Sequence, residues 1–118
     1  MESAALQALA DRQAIVDTIV RWASALDAKD WALERLATHH MSTNHLVTLD
    51  GDRATCVSAM LIHRLDPARE RDNTFDTLAH YTHVLVRTPR GWRISRVRQA
   101  VAWNRGNAAI HAGATGAR

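Results

Sequence analysis

Residues 38–49, followed by Asp50-Gly51, restrict the fold more than any other stretch of the chain. Thr38-His39-His40-Met41-Ser42-Thr43-Asn44-His45-Leu46-Val47-Thr48-Leu49 reads as a β-strand with a period of two. Strict alternation gives His40, Ser42, Asn44, Leu46 and Thr48 one face. His39, Met41, Thr43, His45, Val47 and Leu49 take the other. Asp50-Gly51 supplies positive-φ positions for a two-residue hairpin loop. The first face therefore carries an imidazole, a hydroxyl and an amide where a sheet usually buries aliphatics. Polar groups inside a sheet must be paired or useful, so this strand is where a functional site is expected.

The remaining elements are ordered around it. Residues 4–27 form a helix: Ile15, Ile19, Trp22 and Leu26 recur at helical spacing, and Val16, Val20 and Ala23 widen the stripe. Asp11, Arg12, Asp17 and Arg21 fall largely outside it. Asp30 is a suitable N-cap for a short second helix over 31–36. That helix meets the His-rich strand at Leu36-Ala37-Thr38 without the usual Gly, Asn or Pro. A second strand is expected over 53–64, with Thr55, Val57, Ala59, Leu61 and His63 on one face. A charged, mobile loop follows over 65–75. A third strand spans 77–88, with Tyr81 and His83 on a shared face. Pro89-Arg90-Gly91 makes a turn into a fourth strand over 92–103. The expected domain is 1–103, with 104–118 a flexible tail rich in Gly, Ala and Thr. Helices followed by a run of strands indicate an α+β fold with an antiparallel sheet.

With 118 residues, 47% of them hydrophobic, the chain has enough apolar surface for one small core. The formal charge of +3 comes from arginines spread along the chain. Arg87, Arg90, Arg93, Arg96 and Arg98 concentrate on the last hairpin, where Trp92 is the one stacking aromatic, so a solvated face is expected rather than a nucleic-acid surface. The seven histidines lack the spacing of a metal site, and no metal is expected. Cys56 is a single thiol, as suits a reducing compartment. No signal peptide or membrane span is expected, which points to the cytoplasm.

Several segments together resemble a known family. They are Asp11-Arg12-Gln13-Ala14-Ile15, Ala25-Leu26-Asp27-Ala28-Lys29-Asp30-Trp31, Thr38-His39-His40 with Asn44, Asp50-Gly51-Asp52-Arg53-Ala54, and Arg87-Thr88 followed by Gly91-Trp92-Arg93-Ile94. The set is similar to the SnoaL-like branch of the nuclear transport factor 2-like superfamily. That superfamily includes scytalone dehydratase, bile-acid dehydratase, ketosteroid isomerase and polyketide cyclases. The resemblance implies a conical α+β fold: a long N-terminal helix packed on a curved antiparallel sheet of about four strands around an apolar pocket. Its dehydratase-like members pair an Asp at the end of the first helix with a strand His, and take a second His from the next strand. By motif these are Asp27, His40 and His63. A family tyrosine five residues before the Asp is Trp22 here. The strand hairpin and helix that the family places before the His strand are missing between Leu36 and Ala37.

The resemblance implies cofactor-independent acid–base chemistry, of dehydratase or isomerase type, on a small, largely apolar, oxygenated molecule. His40 is the expected acid–base residue, Asp27 its orienter, and His63 a second proton donor or oxyanion partner. Trp22, Asn44 and Tyr81 are expected to line the ligand. The alternative is a non-catalytic binding or assembly module with a remodelled pocket. One amphipathic helix cannot shield both Val57, Ala59, Leu61, Val84 and Val86 and the apolar positions of the last strand, so a homodimer or higher even oligomer is expected.

Overall fold

The structure is a computed structural model and describes residues 2–29 and 36–111. One helix, α1 (Glu2–Lys29), is followed by four strands: β1 (Ala37–Asp50), β2 (Arg53–Leu65), β3 (Thr74–Thr88) and β4 (Gly91–Gly106). They form one antiparallel meander in the order β1-β2-β3-β4. Residues 30–35, which hold most of the expected second helix, lie outside the described residues.

α1 lies on one face of the sheet because Asp11, Ile15, Ile19 and Ala23, four residues apart, form a single buried line. Ile15 and Ile19 pack on Val47, Ala54, Cys56, Leu85 and Trp92. Ala23 and Trp22 cover Met60, Ile62, Ala79 and Tyr81. Val20, expected in the stripe, is 42% exposed on the outer side of the helix, and Leu6 and Leu9 are also exposed.

Asp11 was expected outside the stripe but is buried within it. Arg87 grips it through two bonds, Nη1 to Oδ1 at 2.9 Å and Nη2 to Oδ2 at 2.7 Å. Trp92 Nε1 adds a third at 3.2 Å. The Arg87 guanidinium also lies 4.6 Å from the Trp92 ring centre. Chiefly through Arg87, these donors hold the Asp11 carboxyl far below the usual carboxylate range, against the opposing effect of burial.

The turns follow the glycines. Asp50 was expected in the first hairpin loop but pairs with Arg53, so the loop is Gly51-Asp52, in which Gly51 has φ +60°. Gly91 has φ +100° at the β3–β4 turn. The 66–73 loop is tied down rather than loose. Asp66 is 2% exposed and accepts hydrogen bonds from Ala68 N and Arg69 Nε. β4 runs past Trp103 to Gly106, and Asn107–His111 make a further turn that buries Ile110 against Leu36 and Phe75. Residues 112–118 lie outside the described residues.

Strict alternation fails in β1. Asn44 adopts φ +56°, and the β1–β2 register shifts between Thr43 and Leu46. This β-bulge exchanges the faces of everything after it. The helix side of β1 carries Thr38, His40 and Ser42, then His45, Val47 and Leu49. Asn44 and Leu46, expected beside His40, are exposed.

Candidate functional site

The C-terminal end of α1 passes over the start of β1, and Asp27 meets that strand there. Its Oδ1 lies 2.5 Å from His40 Nδ1 and accepts a bond from Thr38 Oγ1 at 3.2 Å. Its Oδ2 accepts the His40 backbone N–H at 3.0 Å. The His40 side chain is 8% exposed. Burial alone would push the Asp27 carboxyl up, but the ring and backbone bonds from His40 outweigh it and hold the group below its usual value. An ionised carboxylate only accepts, so Nδ1 carries the shared proton, and in the neutral ring Nε2 is the nitrogen with the lone pair. His40 Nε2 has no partner among the described residues.

The strand registers extend this edge into a polar floor beneath the helix. Ser42 Oγ lies 2.8 Å from His45 Nε2. Ser58 of β2 pairs with Tyr81 of β3, which pairs with Gln99 of β4. Gln99 Nε2 donates to the Tyr81 hydroxyl at 2.7 Å, while burial, the larger effect, pushes the phenol up. His83 has no exposed surface. Its ring stacks on Tyr81 at 5.8 Å and meets the edge of Trp22 at 4.9 Å. Trp22 also meets Tyr81 edge-on at 5.5 Å. Neither ring nitrogen of His83, nor the Ser58 hydroxyl, has a hydrogen-bond partner among the described residues. Burial lowers the pKa of both His45 and His83, and the neighbouring His45 lowers that of His83 further.

Of the expected site residues, the structure brings Asp27 to His40 and groups Trp22 with Tyr81. It does not bring in the other two. His63 pairs across the sheet with His39 on the face turned away from α1, and its Nδ1 bonds Asp76. Residues of β2 that face the helix have even numbers, from Ala54 to Arg64, so an odd-numbered His63 cannot join His40. Asn44 is turned to solvent by the bulge. The residues that sequence reasoning missed are His45, hidden by that bulge, and Ser58 and Gln99, whose signal lies in the cross-strand register.

Two surface depressions lie elsewhere, and neither touches the dyad. One, of about 490 Å3, is lined by Asp72, Thr74, Gly106 and Asn107. The other, of about 300 Å3, is lined by Thr55, Thr82, Val84, Arg96 and Arg98. Among the described residues no group of three or more His, Cys, Asp or Glu is placed to share a metal ion.

Comparison with known proteins bears on the family and the fold. The SnoaL-like domain family matches residues 32–98, which is more than half of the chain. This chain belongs to the SnoaL-like domain family. No curated protein matches the SnoaL-like chain in sequence. Among solved structures, the Kfla4162 protein of Kribbella flavida is 23% identical with a TM-score of 0.80, covering 89% of this SnoaL-like domain and 99% of its own chain. A nuclear transport factor 2-like protein with a cystatin-like fold from Novosphingobium aromaticivorans is 21% identical with a TM-score of 0.70, covering 93% and 92%. A type 2 hexachlorocyclohexane dehydrochlorinase, LinA, is 21% identical with a TM-score of 0.51. The LinA match covers 64% of this SnoaL-like domain and only 50% of the LinA chain.

Proposed function

We propose that this SnoaL-like domain binds a small, largely apolar, oxygenated molecule against the helix side of the sheet and carries out acid–base chemistry there without a cofactor. The observation that carries the reading is the Asp27–His40 pair, with its 2.5 Å bond and its backbone tether. In a dehydration, His40 Nε2 takes a proton from carbon, and that C–H electron pair forms the new C=C bond as the C–O bond breaks. The same nitrogen then returns the proton to the leaving hydroxide, which departs as water. In an isomerisation it returns the proton to a different carbon. Asp27 fixes the tautomer and offsets the imidazolium charge. Trp22 and Tyr81 offer an aromatic wall. His63 takes no part, because it lies on the other face. The solved structure described as a dehydrochlorinase lends this reading a precedent in eliminations.

A second reading, a binding or assembly module without catalysis, is favoured by one observation. Trp22 packs its own ring onto Tyr81 and His83, where a ligand would otherwise sit. In either case we read the domain as cytoplasmic and as a homodimer or higher even oligomer.

A panel of cyclic hydroxyketones and hydroxylated ring compounds, followed by tryptophan fluorescence and product analysis, separates the two readings. The expected result is saturable quenching with turnover that falls ~10²–10⁴-fold in His40→Ala and Asp27→Asn. The melting temperature of both variants should stay close to wild type. Turnover unchanged by both substitutions would overturn the dyad. Saturable binding without turnover in the wild type would establish the second reading.

A further inference from the structure

The arginines of the last hairpin have no place in the site beneath α1. β4 carries two bulges, where the β3–β4 register shifts between Leu78 and Ala79 and between Val84 and Leu85. The shift near Val84 sets Arg96 opposite Val84, and the register continues with Arg98 opposite Thr82 and Arg93 opposite Val86. On the other side of β3, Thr55 lies opposite Val84, Val57 opposite Thr82 and Arg53 opposite Val86. All of these side chains stand on the face turned away from the helix. Arg53, Arg93, Arg96 and Arg98 therefore converge around one small region of that face. The depression of about 300 Å3 lined by Thr55, Thr82, Val84, Arg96 and Arg98 lies within this ring.

Four of the other arginines are already engaged. Arg12, Arg64, Arg69 and Arg87 each hydrogen-bond a carbonyl, a hydroxyl or a carboxylate. Arg96 and Arg98 have no ion pair or hydrogen bond among the described residues. Among the acidic groups near this face, Asp52 binds Arg87 and Asp76 binds His63, while Asp50 lies opposite Arg53; Arg96 and Arg98 face Val84 and Thr82 and have no carboxylate across the strand. Like-charged groups gathered without counter-charges repel one another, and an anion relieves that repulsion.

We propose that Arg96, Arg98, Thr55 and Thr82 form a second binding site, for the phosphate group of a small phosphorylated molecule. A guanidinium presents a planar fork of donors that matches two phosphate oxygens. Two such forks and two hydroxyl donors suit a tetrahedral dianion better than a flat carboxylate. Val84 and the 45% exposed Val57 give the rest of the molecule an apolar rest. The region has no aromatic platform, which separates it from a surface for single-stranded nucleic acid. It lies on the opposite side of the sheet from the Asp27–His40 pair, so it stands or falls independently of the proposed chemistry.

Amide chemical shifts of the full chain, followed by NMR during titration with inorganic phosphate, test the proposal. Sodium chloride at matched ionic strength is the control. Saturable shifts at Thr55, Thr82, Arg96 and Arg98 are expected, half complete at about 1 mM or below. The Arg96→Gln, Arg98→Gln double variant should bind at least ~10-fold more weakly, as loss of two charge-assisted partners requires. The corresponding lysine variant, which keeps the charge but not the fork, should fall between. Arg105→Gln, at the far end of β4 beside Asp76, should bind as wild type. Shifts that grow linearly, match those in chloride, or weaken equally in Arg105→Gln would overturn the site as a diffuse charge effect. Tighter binding of a short single-stranded oligonucleotide, with shifts reaching Trp103, would overturn it in favour of nucleic acid.

Discussion

At position 83 an imidazole is enclosed with neither nitrogen paired among the described residues, between the Tyr81 ring and the edge of Trp22. Such a group is kept neutral, because charging it would cost far more than leaving it unpaired. Burial also lowers the pKa of His45, whose Nε2 does have a partner in Ser42 Oγ. An unfolded histidine titrates near ~6.5, and the folded values of both residues lie below that. Between the folded and unfolded values the unfolded chain binds more protons, so stability rises with pH. The contribution is complete above the unfolded value and is lost as pH falls below it. The melting temperature should therefore be lower at pH 5.5 than at pH 7.5, and His83→Leu should show a smaller drop. Equal melting temperatures for the wild type at the two pH values would refute this account. Asp27 acts in a separate, more acidic window: its depressed carboxyl contributes above the unfolded ~3.9 and loses that contribution as pH falls through its lower folded value. Asp27 and His40 were legible in the sequence as helix end and strand start. His83 was legible only as the neighbour of Tyr81 on one face, since no local pattern announces that an imidazole will be left without a partner.

Among the elements, α1 and the four strands follow from periodicity and from the glycines at 51 and 91. The β1 bulge does not. An αL residue in mid-strand leaves no mark on a hydrophobicity pattern, and Asn44 is a polar residue in a polar run. Its conformation nevertheless decides which histidine reaches the site, because it brings His45 to the helix side and turns Asn44 outward. Asn tolerates this region better than most residues, and a β-branched side chain does not. Asn44→Val should cost about 1–2 kcal/mol, and Asn44→Gly should be close to neutral. Urea unfolding followed by tryptophan fluorescence measures both. A valine variant as stable as wild type would mean that the bulge is not fixed by this residue. The misplacement of His63 has a simpler origin: the family motif supplied the residue type, and the parity of β2 put it on the other face.

For the molecule as a whole, the covering of the sheet is uneven. β4 beyond Ile94 is exposed along both faces. On the helix side it presents Val97 at 41% and Val101 at 53% exposure, and α1 presents Leu6 and Leu9 at 64% and 63%. A twofold partner that lays its helix over this open end would bury both sets. The arginine-bearing face is the poorer choice, since two copies would oppose like charges. Sedimentation at micromolar concentration should give a multiple of 13.1 kDa, and Val97→Glu with Val101→Glu should shift it toward a single chain. A well-folded wild-type monomer at that concentration would rule the assembly out. The clamp between Asp11 and Arg87 bears on how this molecule comes to exist. Its partners are 76 residues apart, so the helix is fastened at one end by a residue at the far end of the third strand after it. During folding Ile15 and Ile19 can already meet Val47, Ala54 and Cys56 of the first hairpin, but Asp11 stays unclamped until the end of β3 is in place. Contacts of such long range form slowly and leave apolar surface open meanwhile. A chain that lacked Arg87 would therefore keep its helix on the first hairpin but leave the Asp11 carboxylate buried without its cation.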